Sequence, residues 1–264
     1  MRNLITRTFS ALIYAIIFLT AILFSVKSYI GLLILFAGIC IWEFSKIINA
    51  KKSISYLIVL LVSLLSIYFI LPEHESFLLG FSLIGLSILL YLLFSLKSIT
   101  YNSLSQKIFL KYIYIFLPFL FLAKLPIINN TYNSTIIIYI ILIIWTNDSF
   151  AFLVGKNFGK RKLFKSVSPK KTIEGFIGGL LFSMIAGFLI GKYSGVFTIT
   201  NWIIIAVIVS ILGTLGDLVE SKFKRQANVK DSGTIMPGHG GLLDRLDSLF
   251  FLAPFVYLYI HYIM

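Results

Sequence analysis

Asp217 and Glu220 stand three residues apart, and Asp244 and Asp247 repeat that spacing. On a helix, residues three apart share a face. Two such acid pairs at neighbouring helix ends can converge on one hard cation. Oxygen-only ligands suit Mg2+, which keeps waters and substrate phosphates in its shell. Between the pairs lie Ser221, Lys222, Lys224, Arg225, Lys230 and Asp231, then the turn Pro237-Gly238-His239-Gly240-Gly241. The basic residues offer countercharge, and the turn offers unhindered backbone N–H groups, as a phosphate nest requires. His239 is read as a general base or as a hydrogen-bond donor to phosphate. A loop salt-bridged for its own sake would explain some of these charges, but not acids at both helix ends together with a glycine turn. The chain shows no Ser-His-Asp arrangement and no metal-binding Cys/His spacing. The parts fit phosphoryl or nucleotidyl transfer, which needs mostly positioning and charge neutralisation.

Two further groups bear on the same chemistry. Asp148 lies inside an apolar run, in Trp145-Thr146-Asn147-Asp148-Ser149-Phe150-Ala151-Phe152. A charged group at membrane depth costs about 3 kcal/mol unless paired or hydrated. It is read as the polar floor of a water-filled site, against the alternative of a structural hydrogen bond between helices. Ser168-Pro169 reads as an N-cap and first helical residue, which places Lys170 and Lys171 in a first helical turn. Cations are disfavoured there by the helix dipole unless an anion binds. Gly175, Gly178 and Gly179 are expected to serve close helix packing.

The elements that must hold these residues are membrane helices. The 264-residue chain is 59% hydrophobic and 12% charged, against about 25% charged in soluble domains. Apolar runs predict about nine spans, near 9–26, 29–48, 55–71, 77–95, 108–126, 134–155, 173–192, 200–219 and 246–263, each long enough for about 30 Å of hydrocarbon. Tyr29, Trp42, Tyr56, Tyr193 and Trp202 stand near span ends, as an interfacial belt would place them. With a cytoplasmic N-terminus, the N-terminus and the even-numbered connections carry 20 of the 23 Lys and Arg residues, leaving Lys27, Lys124 and Lys192 opposite. That asymmetry predicts an all-α polytopic protein with the site at the cytoplasmic face and the C-terminus outside. It also accounts for the net charge of +13 without a nucleic-acid partner. The lone Cys40 excludes an internal disulfide. The first apolar run continues into others without a small-residue cleavage site, so no cleavable signal is expected.

Composition divides the chain. Residues 1–130 read as transmembrane scaffold and lipid access, and 131–264 as the catalytic region with loops 156–172 and 221–245. Only Glu43, Glu73 and Glu75 are acidic before residue 147.

The stretch from Ser221 through Lys230-Asp231-Ser232-Gly233 and Pro237–Gly241 to Asp244-Arg245-Leu246-Asp247 closely resembles the motif of the phosphatidate cytidylyltransferase (CDP-diacylglycerol synthase) family. Trp145–Phe152 and Ser168–Gly175 resemble two further blocks of it, and Trp42-Glu43 matches loosely. Asn147 stands where many relatives carry a small residue. The similarity covers about residues 140–250. It implies that CTP and phosphatidate give CDP-diacylglycerol and pyrophosphate with Mg2+, in phospholipid biosynthesis at the cell membrane, with K+ as a second cation. By position Asp217, Asp244 and Asp247 would hold metal. Lys170, Lys171, Lys222, Arg225, Lys230 and His239 would face phosphates, with Asp148, Ser221, Asp231, Gly238, Gly240, Gly241 and Arg245 completing the substrate site. Two alternatives are a CTP-dependent polyprenol or phytol kinase and a transporter of an anionic lipid or nucleotide. A transporter would more naturally show inverted repeats with broken helices in both halves. Oligomeric state, a homodimer included, is left open.

Overall fold

In the computed structural model, residues 2–50, 72–95, 98–238 and 240–264 are described, with side chains from Phe9 onward and from His74 in the third helix. Among the described residues are eight helices: α1 Arg2–Phe24, α2 Val26–Ile47, α3 Pro72–Phe94, α4 Leu104–Lys124, α5 Ser134–Phe158, α6 Ile173–Tyr193, α7 Ile199–Gln226 and α8 Leu243–Ile263. Seven of them, α2 to α8, are long and apolar enough to cross a membrane, and α1 adds an apolar segment over Phe9–Phe24. The span expected at 55–71 lies outside the described residues. The architecture is an all-α polytopic bundle.

Local chemistry sets the helix starts. Ser25 and Ser28 form a reciprocal capping box at α2, and Ser103 and Gln106 another at α4. Asn133, Thr172 and Thr198 accept the orphan N–H groups of Thr135, Gly175 and Asn201 at α5, α6 and α7. Within α4 a π-turn over Tyr112–Phe116 immediately precedes Pro118, whose nitrogen has no hydrogen for the helical ladder.

The C-terminal helices pack through small residues. A Cβ added at Gly178 would meet Cβ of Val154 on α5 at 2.7 Å, and one at Gly187 would meet the Trp202 carbonyl on α7 at 2.6 Å. These contacts let α6 lie against α5 and α7 at backbone distance. Tyr29 and Trp202 are fully buried, so neither joins an interfacial belt; Tyr29 donates to the Leu122 carbonyl instead. Trp42 and Tyr193 are exposed, and Tyr56 is outside the described residues.

One end of the bundle collects the ends of α2, α3, α5, α6, α7 and α8. Gln226 exchanges hydrogen bonds with the Ile99 backbone, Lys107 reaches the Asn49 carbonyl, and Arg225 reaches the Val167 carbonyl. Lys124 lies at the opposite end, paired with Glu75. The connections with most of the basic charge thus share one end.

A short antiparallel hairpin joins α5 to α6. Its strands are β1 Lys162–Phe164 and β2 Ser168–Thr172, with Lys162 opposite Thr172 and Phe164 opposite Ser168. This overturns the helix start expected at Ser168-Pro169. The cap is Thr172, and Lys170 and Lys171 lie on a strand, outside the helical turn. The helix dipole therefore supplies no argument about these two lysines.

Candidate metal and phosphate site

A cavity of about 1130 Å3 opens among α1, α5, the hairpin, α7 and α8. Its apolar lining includes Leu12 and Phe18 from α1 and Ile141 and Ile144 from α5. Its charged lining includes Asp148, Lys170, Lys171, Asp217, Arg245 and Asp247. An amphipathic molecule with an anionic head fits such a chamber.

The acids come from the last three turns of α7 and the first two of α8. Asp217, Glu220 and Asp247 each present a carboxylate oxygen within 4.8 Å of the other two. Glu220 is fully buried, and among the described residues its Oε1 has no hydrogen-bond partner. An unpartnered buried carboxylate oxygen is costly. Three converging carboxylates with one orphaned oxygen make a donor set that fits a hard divalent cation.

Asp244, expected among the ligands, is committed elsewhere. Its Oδ1 accepts from Lys224 at 2.6 Å, and its Oδ2 accepts from the Gly241 and Ser232 amides at 2.8 and 2.9 Å. Lys224 also donates to Glu220 Oε2 at 2.6 Å. Glu220, which the spacing had paired with Asp217, takes the third place in the cluster. Lys171 pairs with Asp217, and Ser221 holds the other oxygen of Asp217 at 3.2 Å.

Other expected phosphate contacts point away. The Lys222 ammonium is seated on the carbonyls of Leu92 and Ser95, where it caps the C-terminus of α3. Arg225 braces the Val167 and Val229 carbonyls. Lys230 and Asp231 are exposed on the loop beyond the cavity wall. Of the glycine turn, Gly238 and Gly240 adopt φ of +77° and +93°, which only glycine enters readily. Its last amide and the two that follow it, however, serve the protein's own carboxylates. Gly241 donates to Asp244, and the next two amides, Leu242 and Leu243, donate to Glu43. An external phosphate would have to displace them. His239 lies outside the described residues.

Asp148 faces the cavity and accepts from Asn147 Nδ2 at 3.3 Å. Asn147 Oδ1 in turn accepts from Ser210 on α7 at 2.6 Å, so the polar side chain at 147 is held between helices. The hairpin is pinned by Glu174, which accepts the amides of Lys160 and Arg161 at 3.0 and 3.1 Å. That anchor fixes the strand that carries Lys170 and Lys171.

Apolar spans around an acidic, lysine-rimmed chamber define a polytopic membrane protein. The chain belongs to the cytidylyltransferase family, whose model it matches over residues 5–263. It is 34% identical over 263 residues, 95% of each chain, to a phosphatidate cytidylyltransferase of Bacillus subtilis. It is 54% identical over 120 residues, 45% of this chain and 46% of the relative, to the enzyme of that name from Staphylococcus aureus strain COL. The corresponding value for Staphylococcus haemolyticus is 49% over 120 residues. These relatives favour neither a kinase nor a transporter.

Proposed function

We propose that this chain transfers a cytidylyl group from CTP to phosphatidate, giving CDP-diacylglycerol and pyrophosphate. The observation that carries this reading is the Asp217, Glu220 and Asp247 cluster, two of whose acids, Asp217 and Asp247, line a chamber that also has apolar lining from α1 and α5. A phosphatidate oxygen attacks the α-phosphorus of CTP. The bond from the α-phosphorus to the oxygen bridging it to the β-phosphate breaks, and pyrophosphate leaves. Such displacement depends on alignment and charge neutralisation.

Mg2+ held by Asp217, Glu220 and Asp247 would supply charge neutralisation at the phosphates. Lys171 and Lys170 bind and orient phosphate oxygens from the hairpin side. Arg245 faces the same space. Lys224 and Asp244 hold the acids in place. The apolar lining from α1 and α5 takes the acyl chains, and α1 gives the N-terminal region, 1–130, its part in lipid access. K+ as a second cation, a cytoplasmic N-terminus and a place in the cell membrane belong to the same proposal.

The test is direct. Purified protein receives phosphatidate, CTP labelled in the cytidine, and Mg2+. Label is expected in the lipid phase, with stoichiometric pyrophosphate. Transfer of the γ-phosphate to a lipid alcohol, with no cytidine in the lipid phase, would favour the kinase alternative and refute the proposal.

A further inference from the structure

Glu43 is a fully buried carboxylate near the end of α2, 200 residues from the start of α8 in sequence. Helix α8 begins at Leu243, and its N-cap position, Leu242, has no side chain able to accept the first free N–H groups. Glu43 accepts them in its place: Oε1 takes the Leu242 amide at 3.2 Å and Oε2 the Leu243 amide at 2.8 Å. A carboxylate at a helix N-terminus is favoured by both the dipole and the charge-assisted hydrogen bonds.

The surroundings are shaped to this side chain. A Cβ at Gly241 would lie 2.5 and 2.6 Å from the two Glu43 oxygens, and one at Gly233 would lie 2.9 Å from its carboxyl carbon. The Ser232 hydroxyl is 3.1 Å from Glu43 Oε2 and 2.9 Å from Asp244 Oδ2, so its single proton links the two carboxylates. From Asp244 the chain of contacts runs through Lys224 to Glu220. Asp247 stands one turn further along the helix that Glu43 caps.

We propose that Glu43 is a positioning residue for the acidic cluster. It fixes the first turn of α8 and the glycine loop, and thereby sets where Asp247 and, through Asp244 and Lys224, Glu220 present their oxygens. The inference rests on the cytidylyl-transfer reading, and its test separates the two.

Full-length protein in detergent is compared with Glu43→Gln, in which an NH2 group replaces one acceptor and opposes a donor. Two properties are read. The first is the kinetic split for CTP and phosphatidate. The second is the Mg2+ concentration that gives half the thermal shift in the absence of substrates. Glu43→Gln is expected to lower kcat about tenfold or more, with both KM values within about twofold, because charge-assisted hydrogen bonds that organise the cluster are lost. The Mg2+ midpoint should rise several-fold. No cytidylyl transfer by the wild type would defeat the functional reading alone. Active wild type, with equal kcat and Mg2+ midpoint in Glu43→Gln and only a lower Tm, overturns the positioning role and leaves Glu43 a structural cap. If Glu43→Gln fails to fold, Ser232→Ala carries the test. It keeps the cap and removes only the link between carboxylates. A raised Mg2+ midpoint supports the proposal, and an unchanged one overturns it.

Discussion

Lys224 holds the acidic wall together, and replacing it with Met is the sharpest perturbation the structure offers. Its ammonium lies 2.6 Å from Glu220 Oε2 and 2.6 Å from Asp244 Oδ1, with 9% of the side chain exposed. Met fills a similar volume and keeps the apolar stem contacts, so the change removes charge more than packing. It leaves two buried carboxylates without their shared partner. Breaking a buried pair by deleting one member costs about 3–5 kcal/mol. At about 2–4 °C per kcal/mol for a chain of this size, the Tm of metal-free Lys224→Met should fall by roughly 6–20 °C. Mg2+ should recover part of that loss, since a bound cation restores positive charge among the acids. The assay is thermal unfolding of the purified protein in a chelator and then across a Mg2+ titration. A metal-free Tm within about 2 °C of wild type would refute the reasoning, because it would mean that the two carboxylates do not need the lysine.

Asp217→Asn and Asp247→Asn should each lower turnover by about 100-fold or more, as loss of charge stabilisation at the reacting phosphates does; near-wild-type rates in either would remove it from the cation site. Glu220→Gln should satisfy the orphaned Oε1 poorly and raise the Mg2+ requirement more than Asp244→Asn does, and the reverse order in a metal titration would restore Asp244 as ligand. Lys170→Gln with Lys171→Gln should leave insertion intact and raise KM for CTP or phosphatidate, at about 1.5–3 kcal/mol per lost charge-assisted bond; unchanged kinetics would reduce both lysines to topogenic charge. Cysteine placed at residue 160 should label only from the cytoplasmic side of sealed vesicles, and labelling from the outer side alone would invert the proposed topology.

The spans were legible because apolar runs of that length have few other uses. The acid pairs were legible because spacing on a helix decides which side chains share a face. What the one-dimensional pattern hid was pairing across distance. Ser168-Pro169 carries a good local helix-start signal, yet the stretch pairs with Lys162–Phe164 and becomes a strand, since the antiparallel partner and the Glu174 anchor decide. Lys222 looked like one more phosphate lysine, and only the folded chain brings the end of α3 beneath it. The spacing also did not show that Glu220 rather than Asp244 would lie nearest Asp217 and Asp247, because Lys224 and the Gly241 and Ser232 amides hold Asp244. Glu43 did leave a signal, an isolated acid at the end of an apolar run, but nothing in the sequence named its partners.

Helix α7 is 28 residues long, which at 1.5 Å per residue is about 42 Å, some 12 Å more than the hydrocarbon layer. Measured from Ile199, Asp217 stands about 27 Å along that axis. If the apolar segment before it fills the hydrocarbon, the carboxylates fall at the depth of lipid headgroups and the surplus turns project into water. The lipid phosphate then meets the acids at its own resting height. Diacylglycerol stays dissolved in the bilayer throughout, the water-soluble nucleotide arrives from the open side, and neither reactant has to cross into the other's solvent.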